Sequence, residues 1–313
     1  MREHYKNYYI LLFACIIIIG LFLGPILTKK KKTSSEIAIQ EVDTTAYLES
    51  ILNKLVLVEA GEFMMGSETI HEDNRPVHKL YVDTFFLSKY PVTVDEFRTF
   101  VQSTGYKTSA DITGGAFVLD YDDEFKYQTG VNWECDERGN KRMSNDRNYP
   151  VLYISWMDAQ NYCMWLSNIS HKTFRLPTEA EWEFACRGGK YGKGYMYSGG
   201  DSLDEVAWYA LNSELNVQAV GQKKQNELGL YDMTGLAWEW CSDWYSEDYY
   251  QYSPEKNPQG PPSGVEKVCR GSCYLSGFDD ETLLQCQIAY RGKDQIGMAA
   301  NAASFRIVMD PNP

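Results

Sequence analysis

Residues Tyr8 to Leu27 (YYILLFACIIIIGLFLGPIL) form a run of twenty residues without a charge, and this run constrains the rest of the chain more than any other feature. At about 1.5 Å per residue it matches a hydrocarbon core of about 30 Å. It is therefore read as one transmembrane helix, with residues 1–7 as a short tail. A cleaved leader fits less well, because the run exceeds the usual apolar core of about 7–15 residues and no small-x-small site follows. Leu12 to Cys15 looks like a lipidation box, but the apolar run continues well past Cys15. After the span the sequence turns polar (KKKKTSSEIAIQEVDTTAY) and lacks periodicity. Residues 28–50 are read as a linker, and residues 51–313 as one folded unit without internal repeats.

Composition limits what that unit can be. Hydrophobic residues make up 44% of the chain and aromatics 14%, with 8 Trp and 23 Tyr, enough apolar surface for a core without cross-links. The net charge of -13 argues against nucleic acid as a partner, since phosphate binding rests on a Lys/Arg surplus. Seven of the 8 cysteines follow the apolar run, an odd number that leaves at least one thiol unpaired in any compartment. The 4 His are scattered at positions 4, 71, 78 and 171, without the spacing of a metal site.

Three capping signatures mark helix starts: Thr93 with Glu96, Ser155 with Asp158, and Thr178 with Glu181. Alternating runs at Lys79 to Leu87 and Val268 to Leu275 read as strands. From Tyr106 to Tyr149 no period persists, so a long irregular stretch held by Phe117, Tyr121 and Trp133 is expected. Trp156, Trp165, Trp182, Phe184 and Trp240 are expected in the core. The pattern is that of an α+β domain with low secondary-structure content.

Several blocks in order give the domain a resemblance: FMMGS (63–67), PVH (76–78), KYPVT (89–93), PVLYISW (150–156), FRLPTEAEWEFACRGG (174–189), GLYDMTGLAWEW (229–240), CQIAYR (286–291) and Phe305-Arg306. Together they resemble the formylglycine-generating enzyme, or sulfatase-modifying factor, family, whose domain is a variant of the C-type lectin fold. The resemblance implies a structural calcium held by Asp232, Gly235, Ala237 and Glu239, through two side chains and two carbonyls. A hard cation suits such an oxygen set. The family's usual Asn is Leu236 here, which changes that loop's hydrogen bonding.

The same resemblance places a pair of copper-binding cysteines just after an Arg-Gly-Gly-Ser-Tyr-like strand. Here the segment reads Arg270 to Ser276 (RGSCYLS). The first cysteine position falls on Ser276, and the second on Glu281 or Leu283, depending on the end from which it is counted. None carries sulfur, the ligand type that selects Cu(I), so copper is not expected. Cys269 and Cys273 cannot substitute on an extended strand, where residues four apart stand about 13 Å from each other. Arg270, Ser272, Cys273 and Ser276 remain as lining of a candidate groove. Positions equivalent to Cys163 and Cys186 form disulfides in some relatives, but the partner positions are Ile307 and Ile288.

The sequence therefore reads as a single-pass membrane protein carrying a non-catalytic binding or scaffold domain for a protein, peptide or glycan. The alternative is an oxidase of sulfatase cysteines, or another enzyme in the same cleft. The lysines at 29–32 favour a cytoplasmic domain by charge balance, whereas relatives are commonly exported. An extracytoplasmic domain is the expectation adopted.

Overall fold

Capped helices, one antiparallel sheet and one mixed sheet define the architecture of the computed structural model, which describes residues 44–119, 125–143 and 145–311. The apolar run 8–27, the tail before it and residues 28–43 lie outside the described residues. Among the described residues no helix is long and apolar enough to cross a membrane.

The first described element is α1 (Thr44–Leu52), inside the stretch read from sequence as linker. A nine-residue helix is marginal alone, and this one is held by tertiary contacts. Tyr47, Leu48 and Ile51 pack on the core, and the hydroxyls of Tyr47 and Tyr162 share a hydrogen bond of 2.6 Å. The domain thus reaches back before Ile51.

The three predicted caps form as read. Thr93 opens α2 (Val94–Thr104), Ser155 opens α4 (Trp156–Ser170) and Thr178 opens α5 (Glu179–Cys186), each with reciprocal side-chain and backbone bonds. A fourth box, Thr108 with Asp111, opens α3 (Ser109–Thr113) inside the stretch expected to be irregular. That stretch also holds a hairpin of β5 (Gly115–Leu119) and β6 (Phe125–Thr129). The backbone of Phe117 continues this pairing to Ala299 and Asn301.

One sheet runs β1 (Leu55–Val58), β4 (Phe85–Ser88), β12 (Val308–Met309), β7 (Phe174–Arg175). All its pairs are antiparallel, so both ends of the domain meet through Leu87, which faces Val56 and Val308. The second runs β10 (Gly292–Gln295), β9 (Glu266–Arg270), β8 (Trp238–Trp244), β11 (Ala303–Ser304). A hairpin of β2 (Gly61–Met65) and β3 (His78–Val82) lies beside α5.

Two buried clusters fill the space between these layers. One gathers Phe97, Phe100, Trp133, Tyr162, Trp240 and Phe305, with Trp156 and Trp165 half-buried at its margin. The other gathers Trp182, Phe184, Leu80, Phe85, Leu87 and Val308. Cys163 shares the first with Ile307, and Cys186 shares the second with Ile288. All seven described cysteines are buried.

A buried ionic knot joins the layers. Arg270, at the end of β9, is fully buried; its Nη1 donates to Glu179 (2.8 Å) and its Nη2 to Glu183 and the Ile288 carbonyl (2.8 Å). Arg291 donates twice to Glu179 (2.7 and 2.9 Å), and Arg187 donates to Glu183 (2.6 Å). The Gly66 amide also donates to Glu183 (2.9 Å). Burial alone would raise both carboxyls, but the guanidiniums outweigh it and hold both below the ordinary carboxylate range. Breaking such a buried pair strands a charge, which costs about 3–5 kcal/mol. We expect Arg270→Met to lose stability of that size in urea unfolding; a loss below about 1 kcal/mol would contradict this role.

Candidate functional site

The turn from Tyr231 to Ala237 leads into β8 of the second sheet. Asp232, Gly235 and Leu236 all have left-handed φ, of 57°, 78° and 67°. Gly235 is required, since a Cβ there would lie 2.3 Å from the Trp208 carbonyl oxygen. Leu236 takes up this conformation, which ordinarily costs about 1–2 kcal/mol, while fully buried in a cluster with Tyr153 and Tyr274.

The four residues expected to hold calcium lie within this turn and the start of β8, but their oxygens are not equivalent. Glu239 is tied to protein donors: Arg306 donates through Nε and Nη2 (2.7 Å for the latter), and Trp182 Nε1 donates at 2.7 Å. Asp232 Oδ2 accepts the Gly221 amide at 2.7 Å. The Gly235 carbonyl accepts the Ala237 amide at 2.9 Å. A carboxylate offers about four lone-pair sites and a carbonyl two, so Asp232 and Gly235 keep acceptor capacity that Glu239 has largely spent. Two buried carboxylates face one guanidinium, and burial pushes the Asp232 carboxyl up to about 7. Of the set, Asp232 therefore keeps the freer side-chain oxygen. Among the described residues no group of three or more His, Cys, Asp or Glu side chains is placed around a common metal position.

The four residues expected along the groove lie beneath its surface. Arg270 belongs to the ionic knot, not to an open face. The chain then leaves the strand at Gly271 (φ 99°) and Ser272 (φ 63°), and the Ser272 hydroxyl accepts the Gly235 amide at 3.1 Å. Cys273 is buried with its sulfur 3.6 Å from the Ser276 hydroxyl, which donates to Gln285 at 2.7 Å. The sharp bend does not bring Cys269 and Cys273 together; they belong to separate clusters.

The open groove begins one residue later. It has a volume of about 370 Å³ and is walled by Tyr197, Tyr209, Phe278 and Leu283. Leu283 is one of the two positions read as the missing second cysteine. Gly277 forms part of the floor, where an added Cβ would lie 3.5 Å from the Cys286 sulfur. Burial pushes that thiol up to about 12, and Cys186 likewise, so both stay protonated near neutrality and are weak nucleophiles and ligands. Tyr197 and Tyr209 come from a segment without a sequence signature. Their rings became visible as a wall only through the fold, though Asp279 with Thr282 had the spacing of a cap and does open α7 (Asp280–Leu284); α6 (Leu203–Val206) supplies Leu203 nearby.

The model of the sulfatase-modifying factor enzyme 1-like domain matches residues 43–311. The chain belongs to this family. A formylglycine-generating enzyme of Bos taurus is 32% identical over 295 residues, covering 83% of this chain and 75% of that protein. The inactive C-alpha-formylglycine-generating enzyme 2 of Bos taurus is 31% identical over 221 residues, covering 61% and 71%. Among solved structures, Treponema denticola variable protein 1 superposes with a TM-score of 0.63 at 22% identity, over 82% of this chain and 95% of that one. That likeness establishes a shared fold.

The raised carboxyl of Asp232 has a thermodynamic sign. The folded state binds this proton more tightly than the unfolded chain, so the contribution is complete below about pH 4 and is lost as pH rises through about 7. Asp243, also pushed up to about 7 by burial, acts in the same direction. In chelator-treated protein we expect Asp232→Asn to remove a fall in unfolding free energy on the order of 3 kcal/mol between pH 5 and pH 8. An unchanged pH slope in the variant would contradict the assignment.

Proposed function

We propose that this chain is a membrane-anchored binding module that keeps the family scaffold without its copper-dependent oxidation. One observation carries the reading: Ser276, Glu281 and Leu283 occupy the sequence positions where the reaction needs two thiolates. Hydroxyl, carboxylate and isobutyl groups do not replace sulfur as Cu(I) ligands. The neighbouring thiols of Cys273 and Cys286 are buried. A relative described as inactive is consistent with a family scaffold outlasting its chemistry.

On this reading residues 8–27 hold the domain at a membrane, residues 28–43 act as a stalk, and the domain faces the extracytoplasmic side. Its ligand is a protein, peptide or glycan segment seated in the groove beside Phe278. Calcium, held by Asp232 with the Gly235 and Ala237 carbonyls and Glu239, would supply positive charge to a buried anionic turn and so stabilise the domain. Added calcium would then flatten the pH slope that Asp232 creates.

The opposing reading, oxidation of a sulfatase cysteine, makes a direct demand. The full chain, loaded with Cu(I) and incubated under air with a cysteine-bearing sulfatase-motif peptide, should yield no aldehyde above the peptide-only rate. Hydrazide capture measures the product, and catalytic accumulation of aldehyde would overturn the binding reading.

A further inference from the structure

The groove's walls and its charges differ in character. Phe278 is 50% exposed and Leu211, at the same rim, is 70% exposed, an unusual placement for large apolar side chains that converge on a cavity. Tyr197 and Tyr209 add ring surface, and the Tyr209 hydroxyl is fixed by donating to Asp204 at 2.8 Å. Alongside these rings stand Asp201, Asp279 and Asp280, and among the described lining residues there is no lysine, arginine or histidine.

The nearby lysines have partners of their own. Lys223 donates to the Asp204 carbonyl (2.7 Å) and lies over the Trp208 ring at 4.1 Å. Lys224 pairs with Glu205 at 3.7 Å. Donors from Thr282 hold the Asp279 carboxyl below the ordinary range, so it stays charged at neutral pH.

We propose that the groove seats a basic peptide segment, with the stem of an arginine or lysine against the aromatic wall and its cationic head among the three aspartates. This rests on the binding-module reading and names its ligand class. A long cationic side chain matches both halves of the site, because its methylenes cover apolar surface while its head meets ring faces and carboxylates. A neutral sugar could stack on the rings but would leave the aspartates without a counter-charge. An acidic segment would meet like charge, in a chain that already carries -13.

The test uses the full chain in detergent micelles and a library of random octapeptides. Retained peptides should be enriched in arginine and lysine and depleted in aspartate and glutamate. For the best binder, replacing its basic residue by norleucine should weaken affinity roughly tenfold. The double variant Asp279→Asn, Asp280→Asn should lose a similar factor and most of the salt dependence. Asparagine remains a good helix cap, so an unchanged unfolding midpoint separates lost charge from lost folding. Retained peptides without basic enrichment, or full affinity in the double variant, would overturn the proposal. If such peptides nevertheless depend on Phe278, tested by Phe278→Ala, the groove binds a ligand of other chemistry and the binding-module reading survives. If no peptide is retained, the basic-peptide proposal fails, while the aldehyde assay still decides between binding and oxidation.

Discussion

Arg270 is the point through which the domain is held together. It stands at the end of β9, fully buried, and binds both carboxylates of α5 together with the carbonyl of Ile288. Arg291 closes the same knot from the segment after Ile288, and Gly66 joins it from the hairpin beside α5. An ionic cluster of this kind needs every partner present, because each buried charge is tolerated only through the others. It therefore fixes the mutual position of helix, strand and loop more sharply than apolar packing alone could. Immediately beyond it, Gly271 and Ser272 turn the chain, so the knot also sets where Cys273 to Leu283 must run.

That dependence leaves the segments outside the knot freer to vary. Cys163 and Cys186 are buried in the same apolar clusters as Ile307 and Ile288, so packing holds those regions. The oxidase positions lie downstream of the knot, on a segment that supports the groove but not the two core clusters. Residues at those positions can therefore vary without removing the contacts that hold the layers. The segment still folds because Asp279 caps α7 and Ser276 bonds Gln285.

Much of the fold was legible in the sequence, and the reasons are local. The boxes at Thr93, Ser155 and Thr178 involve partners three residues apart, so spacing alone reveals them. Trp182 and Trp240 are core because no surface could hide them more cheaply. What escaped depends on distant partners. The helix from Thr44 needs Tyr162 to hold Tyr47. The β5–β6 hairpin hides because β5 is an uninterrupted apolar run, and β6 alternates aromatic and polar residues over only five positions, all of them exposed. Arg270 was misplaced into the groove for the same reason: its partners Glu179 and Glu183 lie some ninety residues away, and proximity in sequence to Ser276 suggested a shared surface. The groove's own wall, Tyr197 with Tyr209, carries no motif at all.

Whether this site can hold copper separates binding from oxidation. An anaerobic titration of the full chain with Cu(I) against a competing chelator measures that directly. The arrangement of oxygen and hydrocarbon at Ser276, Glu281 and Leu283, over buried thiols, predicts that the chelator keeps the metal throughout. Stoichiometric transfer of one Cu(I) to the protein, abolished by Cys273→Ser or Cys286→Ser, would contradict it.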